Sequence, residues 1–65
     1  MVIIKRDGRK ILFYRTGEDD WFLGCRIESK DDVQSVIKRQ GFNPWFTTQL
    51  QNEFYDICKK LISES

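Results

Sequence analysis

The fold of this chain is decided by residues 3–12, which read Ile-Ile-Lys-Arg-Asp-Gly-Arg-Lys-Ile-Leu. An Asp-Gly pair between two apolar runs is the strongest short-range signal for a β-hairpin, because a type I′ turn needs positive φ at both of its central residues. With Asp-Gly as the two turn residues, Arg6 is predicted to lie opposite Arg9. The same register places Lys5 opposite Lys10, so we expect four basic side chains around the tip of the hairpin.

A third strand and a first helix follow the hairpin. The segment 16–20, Thr-Gly-Glu-Asp-Asp, has the composition of a turn, and it leads into the largely apolar segment 21–27. These features predict three antiparallel strands in a meander. Ser29 with Asp32 three places later resembles a capping box, so the first helix is expected to begin there and to end at Gly41.

A second, longer helix completes the predicted fold. Gly41 is expected to take the left-handed conformation that closes the first helix, with Phe42 in contact with Ile37. The Asn-Pro pair at 43–44 suits an N-cap and a first helical position, and the apolar spacing continues to about Ile62. Residues that share one face of this helix are Phe46, Leu50, Phe54, Ile57, Cys58 and Leu61. The sequence therefore predicts an α+β fold, a three-stranded antiparallel meander followed by two α-helices packed on one face of the sheet.

Alternation along the strands predicts which face of the sheet the helices cover. Side chains expected to point inward are Val2, Ile4, Ile11, Phe13, Trp21, Leu23, Cys25 and Ile27. The opposite face is predicted to stay open to solvent, and it carries Ile3, Leu12, Tyr14 and Phe22 flanked by Lys5, Lys10 and Arg26. An apolar patch bordered by cations is typical of a contact surface.

Aromatic residues supply most of the predicted partner contacts. Nine of the 65 residues are aromatic, more than so small a core encloses easily, and Trp45 and Tyr55 fall outside the apolar stripe of the second helix. Tyr and Trp are enriched among the residues that dominate binding energy at interfaces. The residues predicted to bind a partner are Ile3, Leu12, Tyr14, Phe22, Trp45 and Tyr55. The alternative is structural: Trp45 packs over the first helix and Tyr55 closes the edge of the core.

Basic residues form a second candidate site. Like charges facing each other destabilise a hairpin, so their presence favours contact with an anion, either a phosphate or an acidic protein surface. The residues assigned to this contact are Lys5, Arg6, Arg9, Lys10 and Arg26. In the alternative, the long side chains extend into solvent and discourage pairing at an exposed strand edge. The acidic run at 18–20 is either a solvated loop or a docking point for the basic tip of a second copy.

Composition narrows the function classes for what we expect to be a single domain, residues 1–65. The net charge is +1, but the charges are unevenly distributed along the chain. Residues 1–15 carry five basic and one acidic side chain, whereas residues 16–32 carry six acidic and two basic ones. There is no histidine, and Cys25 and Cys58 lack the spacing of a metal site. We interpret both as buried thiols and expect no catalytic site, metal or cofactor. The apolar runs are short, so we expect no membrane span and a cytoplasmic location.

These features predict a small non-catalytic regulatory or inhibitory protein that binds another protein through the open sheet face and its aromatic side chains. The near-neutral charge and the aromatic content favour this interpretation. The alternative is a nucleic-acid-binding module in which the basic hairpin contacts phosphates and Tyr14 and Phe22 contact bases. A third interpretation is a homo-oligomeric structural subunit, for example a homodimer.

Overall fold

Three antiparallel strands followed by two helices make up the structure, a computed structural model that describes residues 1–64. The elements are β1 (Val2–Asp7), β2 (Lys10–Arg15), β3 (Trp21–Arg26), α1 (Lys30–Gln40) and α2 (Thr48–Ser63). The strand order is β1-β2-β3, so β2 is central and the other two strands form the edges of the sheet. The predicted α+β architecture is confirmed.

The hairpin turn lies one residue later than the sequence predicts. Asp7 pairs with Lys10, which leaves Gly8 and Arg9 as the two turn residues. Gly8 has φ +61°, whereas no other residue type among residues 1–64 has positive φ. Positive φ at the first central residue alone is the pattern of a type II′ turn, which favours glycine at that position. The turn therefore frees Asp7 to join β1, where it faces a lysine of opposite charge.

This shift corrects the predicted cross-strand pairs but preserves the two faces of the hairpin. Arg6 lies opposite Ile11, and Lys5 lies opposite Leu12, so the predicted pairing of these cations with Arg9 and Lys10 is wrong. Every partner moves by two positions along β2. Because side chains alternate with a period of two, an even shift leaves each side chain on the face that the sequence predicts.

A β-bulge in β3 reverses the predicted positions of two aromatic rings. Phe13 pairs with Leu23, whereas the next residue, Tyr14, pairs with Trp21, so Phe22 is the extra residue. A bulge changes the alternation of the strand beyond it. Trp21, predicted inside, therefore lies on the same face as Tyr14, and Phe22, predicted outside, packs against the core.

Both helices pack on one face of the sheet, which we call the helix-covered face. Its core cluster unites residues from the sheet, both helices and the connections: Ile11, Phe13, Ile27, Val33, Phe46, Leu50, Phe54, Cys58 and Leu61. The Phe13 ring is fully buried, and its centroid lies 6.0 Å from those of Phe46 and Phe54. Cys58 is buried and Cys25 is half-buried, and burial raises the pKa of both thiols, that of Cys58 to about 11.

The start of α1 agrees with the prediction, whereas its end does not. The Asp32 carboxylate accepts hydrogen bonds from the backbone N–H groups of Ser29 (3.2 Å) and Glu28 (2.9 Å), as in a capping box. Gly41 has φ −61° and donates to the carbonyl of Ile37 at 2.7 Å, so it continues the right-handed turn. The predicted left-handed closure is therefore wrong, and the Phe42 side chain that follows is 80% exposed.

The second helix begins later than the Asn-Pro pair suggests. The N–H of Phe46 donates to the carbonyl of Asn43 at 3.0 Å, so this segment forms a turn around Pro44. Thr47 is the N-cap, and its Oγ1 accepts from the N–H of Leu50 at 3.2 Å. Phe46 still reaches the core, but from the turn. No helix within residues 1–64 combines the length and the apolar character needed to cross a membrane.

Candidate functional site

The face of the sheet opposite the helices gathers apolar, aromatic and basic side chains, and we call it the open face. Strand alternation and the β3 bulge assign to it Ile3, Lys5, Asp7, Lys10, Leu12, Tyr14, Trp21, Gly24 and Arg26. Trp21 is 48% exposed and Ile3 is 40% exposed. These two side chains are the large apolar groups that the open face offers to solvent.

Leu12, at the centre of the open face, is buried although it does not belong to the core cluster. Its direct neighbours across the strands are Lys5 and Gly24. A methyl group added at Gly24 would stand 3.3 Å from Leu12 Cδ2, 3.4 Å from Trp21 Cζ3 and 2.9 Å from Lys10 Cε. The indole and the lysine stem therefore meet over the glycine and shield the leucine. The prediction that Leu12 is exposed to solvent is therefore wrong.

Two lysines place their ammonium groups over the rings of the open face. Lys10 Nζ lies 4.5 Å from the centroid of the Trp21 ring, and Lys5 Nζ lies 5.2 Å from that of Tyr14. Both distances are within the range of cation–π attraction. The lysine stems lie along apolar surface while their charged ends remain in water. The open face thus presents positive charge directly beside its aromatic groups.

Charges of both signs lie at each end of the open face. The exposed acidic turn at 18–20 leads directly into Trp21, whose ring lies beneath the Lys10 ammonium group. At the other end lie Asp7 and Arg26, and the Arg26 Nε donates to Glu28 Oε1 at 2.8 Å. The two lysine ammonium groups of this face therefore stand beside its rings and not at its far end.

The predicted partner-binding residues fall into three separate places. Ile3, Leu12 and Tyr14 share the open face. Phe22 and Trp45 contact each other on the helix-covered side, with ring centroids 5.1 Å apart, so the prediction that Phe22 belongs to the open face is wrong.

Trp45 and Tyr55 take different positions relative to the core. The Trp45 centroid lies 5.4 Å from that of Phe13, so Trp45 extends the core, although against the sheet and not over the first helix as the structural alternative proposed. Tyr55 is 42% exposed and lines a shallow groove with Ile37 and Lys38 of α1. The six predicted residues therefore do not form one surface.

Trp21 is the residue of this face that the sequence prediction missed. Its neighbours provide two signals. Trp21, Phe22 and Leu23 are three consecutive large apolar residues, which strict alternation does not accommodate, and a glycine inside the strand follows them. Consecutive apolar residues with a nearby strand glycine are features associated with a bulge.

The five predicted anion-binding residues are also divided. Lys5, Lys10 and Arg26 belong to the open face, while Arg6 lies on the opposite side of its strand. Arg6 donates to both carboxylate oxygens of Glu64, and this pairing lowers the pKa of the Glu64 carboxyl group.

Arg9 occupies the turn and is half-buried. The predicted pairs of facing cations at the hairpin tip are not formed, because the turn shift places Ile11 opposite Arg6 and Leu12 opposite Lys5.

No family model, curated protein or solved structure matches the chain. Within residues 1–64, no group of three His, Cys, Asp or Glu side chains is arranged to hold a metal ion. The open face is therefore interpreted from its own geometry and charge.

Proposed function

We propose that this protein is a small non-catalytic regulatory or inhibitory protein that binds another protein through the open face. The observation that carries this proposal is the half-exposed indole of Trp21, which lies with Ile3 and Tyr14 on the face that the helices leave free. Exposed Trp and Tyr side chains at the centre of a patch are the usual anchors of protein interfaces.

The charges of the open face define the partner's surface. The ammonium groups of Lys5 and Lys10 stand beside the two rings, so a carboxylate of the partner can contact an ammonium while its apolar atoms contact a ring. The acidic turn at 18–20 lies next to Trp21 and favours basic groups there. The partner surface is therefore apolar where it meets the rings, acidic beside them and basic towards the turn.

Two features favour a protein over a nucleic acid. The ring faces of Tyr14 and Trp21 each carry an ammonium group of the same chain, which a stacked base would have to displace. The exposed carboxylates at 18–20 would repel a phosphate backbone that runs along the whole face.

Site-specific photo-crosslinking tests the proposal. The photoreactive residue p-benzoylphenylalanine replaces Trp21 in one variant and Tyr55 in a second, because both positions are aromatic and about equally exposed. We expect position 21 to crosslink one discrete protein that mass spectrometry identifies, and position 55 to give no such adduct. The absence of an adduct at position 21, or the same adducts at both positions, would contradict the proposal.

The affinity of the protein for the identified partner then tests which side chains of the open face contribute to binding. Trp21→Ala and Lys10→Glu are each expected to weaken binding by about tenfold or more, the effect typical of a central anchor. Tyr55→Ala is the matched control and should leave the affinity unchanged. Melting temperatures of all three variants confirm that the fold persists, since these side chains lie outside the core cluster.

Nucleic-acid binding is the second candidate, favoured by the presence of Lys5, Lys10 and Arg26 on the same face as two rings. Three phosphate contacts predict that the affinity for a single strand falls about twentyfold between about 50 and 200 mM salt. Fluorescence anisotropy with a labelled 20-nucleotide strand measures this dependence. Binding that weakens in this way and is lost in a Lys5→Glu, Lys10→Glu variant would replace the protein-binding proposal.

A further inference from the structure

A groove separates the outer edge of β1 from α2, on the side of the molecule away from β3. Its volume is about 790 Å³. The strand side is lined by Val2, Ile3 and Ile4, and the helix side includes Leu50 and Ile57. Val2 and Ile4 point to one face of the sheet and Ile3 points to the other. All three line the groove because the backbone edge of β1 forms its wall.

The backbone groups along this edge have no strand partner within residues 1–64. Thr16 N donates to the carbonyl of Met1 at 3.0 Å, which makes these two residues a hydrogen-bonded pair. In an antiparallel ladder such pairs alternate with pairs that are not hydrogen-bonded. Ile3 therefore bonds to β2, whereas the N–H and C=O groups of Val2 and Ile4 point outward into the groove. They form a template for one more strand.

The walls of the groove combine apolar and acidic groups. Leu50 is buried, Ile57 and Trp45 are half-buried, and together they supply apolar surface. Glu53 and Asp56 line the same groove from α2 and are exposed. Neither carboxylate forms an ion pair with any residue of the described chain. A ligand that fits this groove therefore carries apolar side chains together with basic ones.

We propose that β1 binds an extended segment of another protein, which adds to the sheet as a fourth strand and whose groove-facing side chains are apolar and basic. Its backbone pairs with Val2 and Ile4, as in other cases of strand addition. Alternate side chains of the segment enter the groove, where apolar ones contact Ile57 and basic ones reach Glu53 and Asp56. This surface shares only Ile3 with the open face, and the proposal does not depend on the open-face proposal.

A second copy of the chain fits the groove less well. Its own β1 would offer Val2, Ile4 and Arg6, which match the apolar and basic pattern. An antiparallel pair of β1 strands, however, has a two-fold axis that brings both α2 helices together on one side of the sheet. Glu53 and Asp56 of both copies would then place four carboxylates at one interface, and like charges across an interface oppose association.

A designed peptide tests the proposal directly. The probe is acetyl-Thr-Ile-Thr-Ile-Thr-Arg-Thr-Arg-amide, in which one side of the extended chain carries the isoleucines and arginines. Titration is followed by the amide resonances of the 15N-labelled protein. We expect saturable shifts of the Val2 and Ile4 amides at peptide concentrations up to about 1 mM. The same peptide N-methylated at both isoleucines keeps its side chains but loses the donors that pair with β1, and it should not bind.

Charge reversal on α2 provides a second test of the proposal. Glu53→Lys with Asp56→Lys is expected to weaken peptide binding by about tenfold or more, because it removes both acidic contacts. The matched control, Asp19→Lys with Asp20→Lys, makes the same change of net charge in the exposed acidic turn and should alter affinity by less than about twofold. Trp21→Ala should also leave peptide binding intact, which separates this result from a failure of the open-face proposal.

Three outcomes would overturn the inference. The first is an absence of saturable shifts at Val2 and Ile4, and the second is equal binding of the N-methylated peptide, which would indicate docking through side chains alone. The third is the appearance of the same shifts without peptide as the protein concentration rises, together with a dimer in sedimentation. That result would identify a second copy as the occupant of the groove.

Discussion

The two faces of the sheet are built from alternate residues of the same strands, yet they are protected from water in different ways. On the helix-covered face, Ile11 and Phe13 are fully buried beneath side chains of both helices. Leu12, which lies between these two residues in β2, points to the open face and is only 8% exposed, although it is not part of the core cluster beneath the helices. The long side chains around Leu12 take the place of a second layer. A sheet this small can therefore bury apolar surface with lysine stems and one indole.

The two faces also differ in how tightly their side chains are packed. Core side chains interlock with many neighbours and cannot move independently, whereas a lysine stem can swing away at little cost. The open face is thus protected from water in the free protein and remains adaptable when a partner arrives. The predictions below test this contrast, beginning with the largest expected effect.

Truncation of a core ring should be the most damaging change. Phe54 is fully buried and contacts Phe13 and Phe46. Phe54→Ala should reduce the free energy of unfolding by about 3 to 5 kcal/mol, because it removes apolar contacts and leaves a cavity. Chemical denaturation followed by circular dichroism measures the loss. A reduction below about 1.5 kcal/mol would contradict the assignment of this face as the rigid core.

Truncation at the centre of the open face should have an intermediate effect. Leu12→Ala is expected to cost about 2 kcal/mol, at the low end for a buried leucine, because the surrounding lysines can collapse into the space. Ile3→Ala, on the same face but 40% exposed, is the matched control and should cost less than about 1 kcal/mol. Equal losses in the two variants would show that Leu12 is not shielded in solution.

The ion pair between Arg6 and Glu64 should give a smaller and pH-dependent effect. It lowers the pKa of the Glu64 carboxyl group from its ordinary 4.5, so the ionised form is favoured in the folded state. The resulting stabilisation is complete above the ordinary pKa and is lost as the pH falls through the lowered value.

The melting temperatures of the native protein and of Glu64→Gln should therefore differ slightly near neutral pH and converge as the pH falls below the lowered pKa of Glu64. Glu18→Gln, in the exposed acidic turn, is the control for the loss of one negative charge and should leave the melting temperature near neutral pH unchanged.

The smallest effect is expected at Gly24, where Ala would meet the end of the Lys10 side chain at 2.9 Å. This flexible end can move away, and the gain from replacing a strand glycine offsets the lost contact. Gly24→Ala should change the free energy of unfolding by less than about 0.5 kcal/mol. The ε-methylene protons of Lys10 should nevertheless lose their ring-current shift from Trp21. A large destabilisation would mean that this face is as rigidly packed as the core.

The sequence predicts the fold well because the dominant signals are periodic. Alternation in the hairpin assigns each side chain of β1 and β2 to the correct face even though the turn is displaced, since a shift of two positions preserves alternation. The buried stripe of α2 is likewise correct from Leu50 to Leu61. These predictions survive errors in the exact boundaries of each element.

The candidate site is predicted less well because it depends on single residues whose positions are not periodic. One extra residue in β3 exchanges Trp21 with Phe22, and one positive φ at Gly8 displaces the turn and so removes the predicted pairs of facing cations. At the start of α2, the Asn-Pro pair and Thr47 both satisfy the rules for a helix beginning, and packing of Phe46 from the preceding turn decides between them. Such choices rest on tertiary contacts that a local pattern does not contain.

The extra residue in β3 also determines whether the indole N–H of Trp21 is buried in the core or lies on the open face. A regular strand would direct the indole N–H of Trp21 towards a cluster of phenylalanine rings, where an unpaired donor is costly. The bulge sends inward a phenyl group, which has no polar atom to satisfy, and leaves the indole on the open face, where Trp21 is 48% exposed. Removing Phe22 from the chain would therefore make the ladder regular and keep the indole on the open face, because Trp21 would then directly precede Leu23, while the interior would lose one phenyl group.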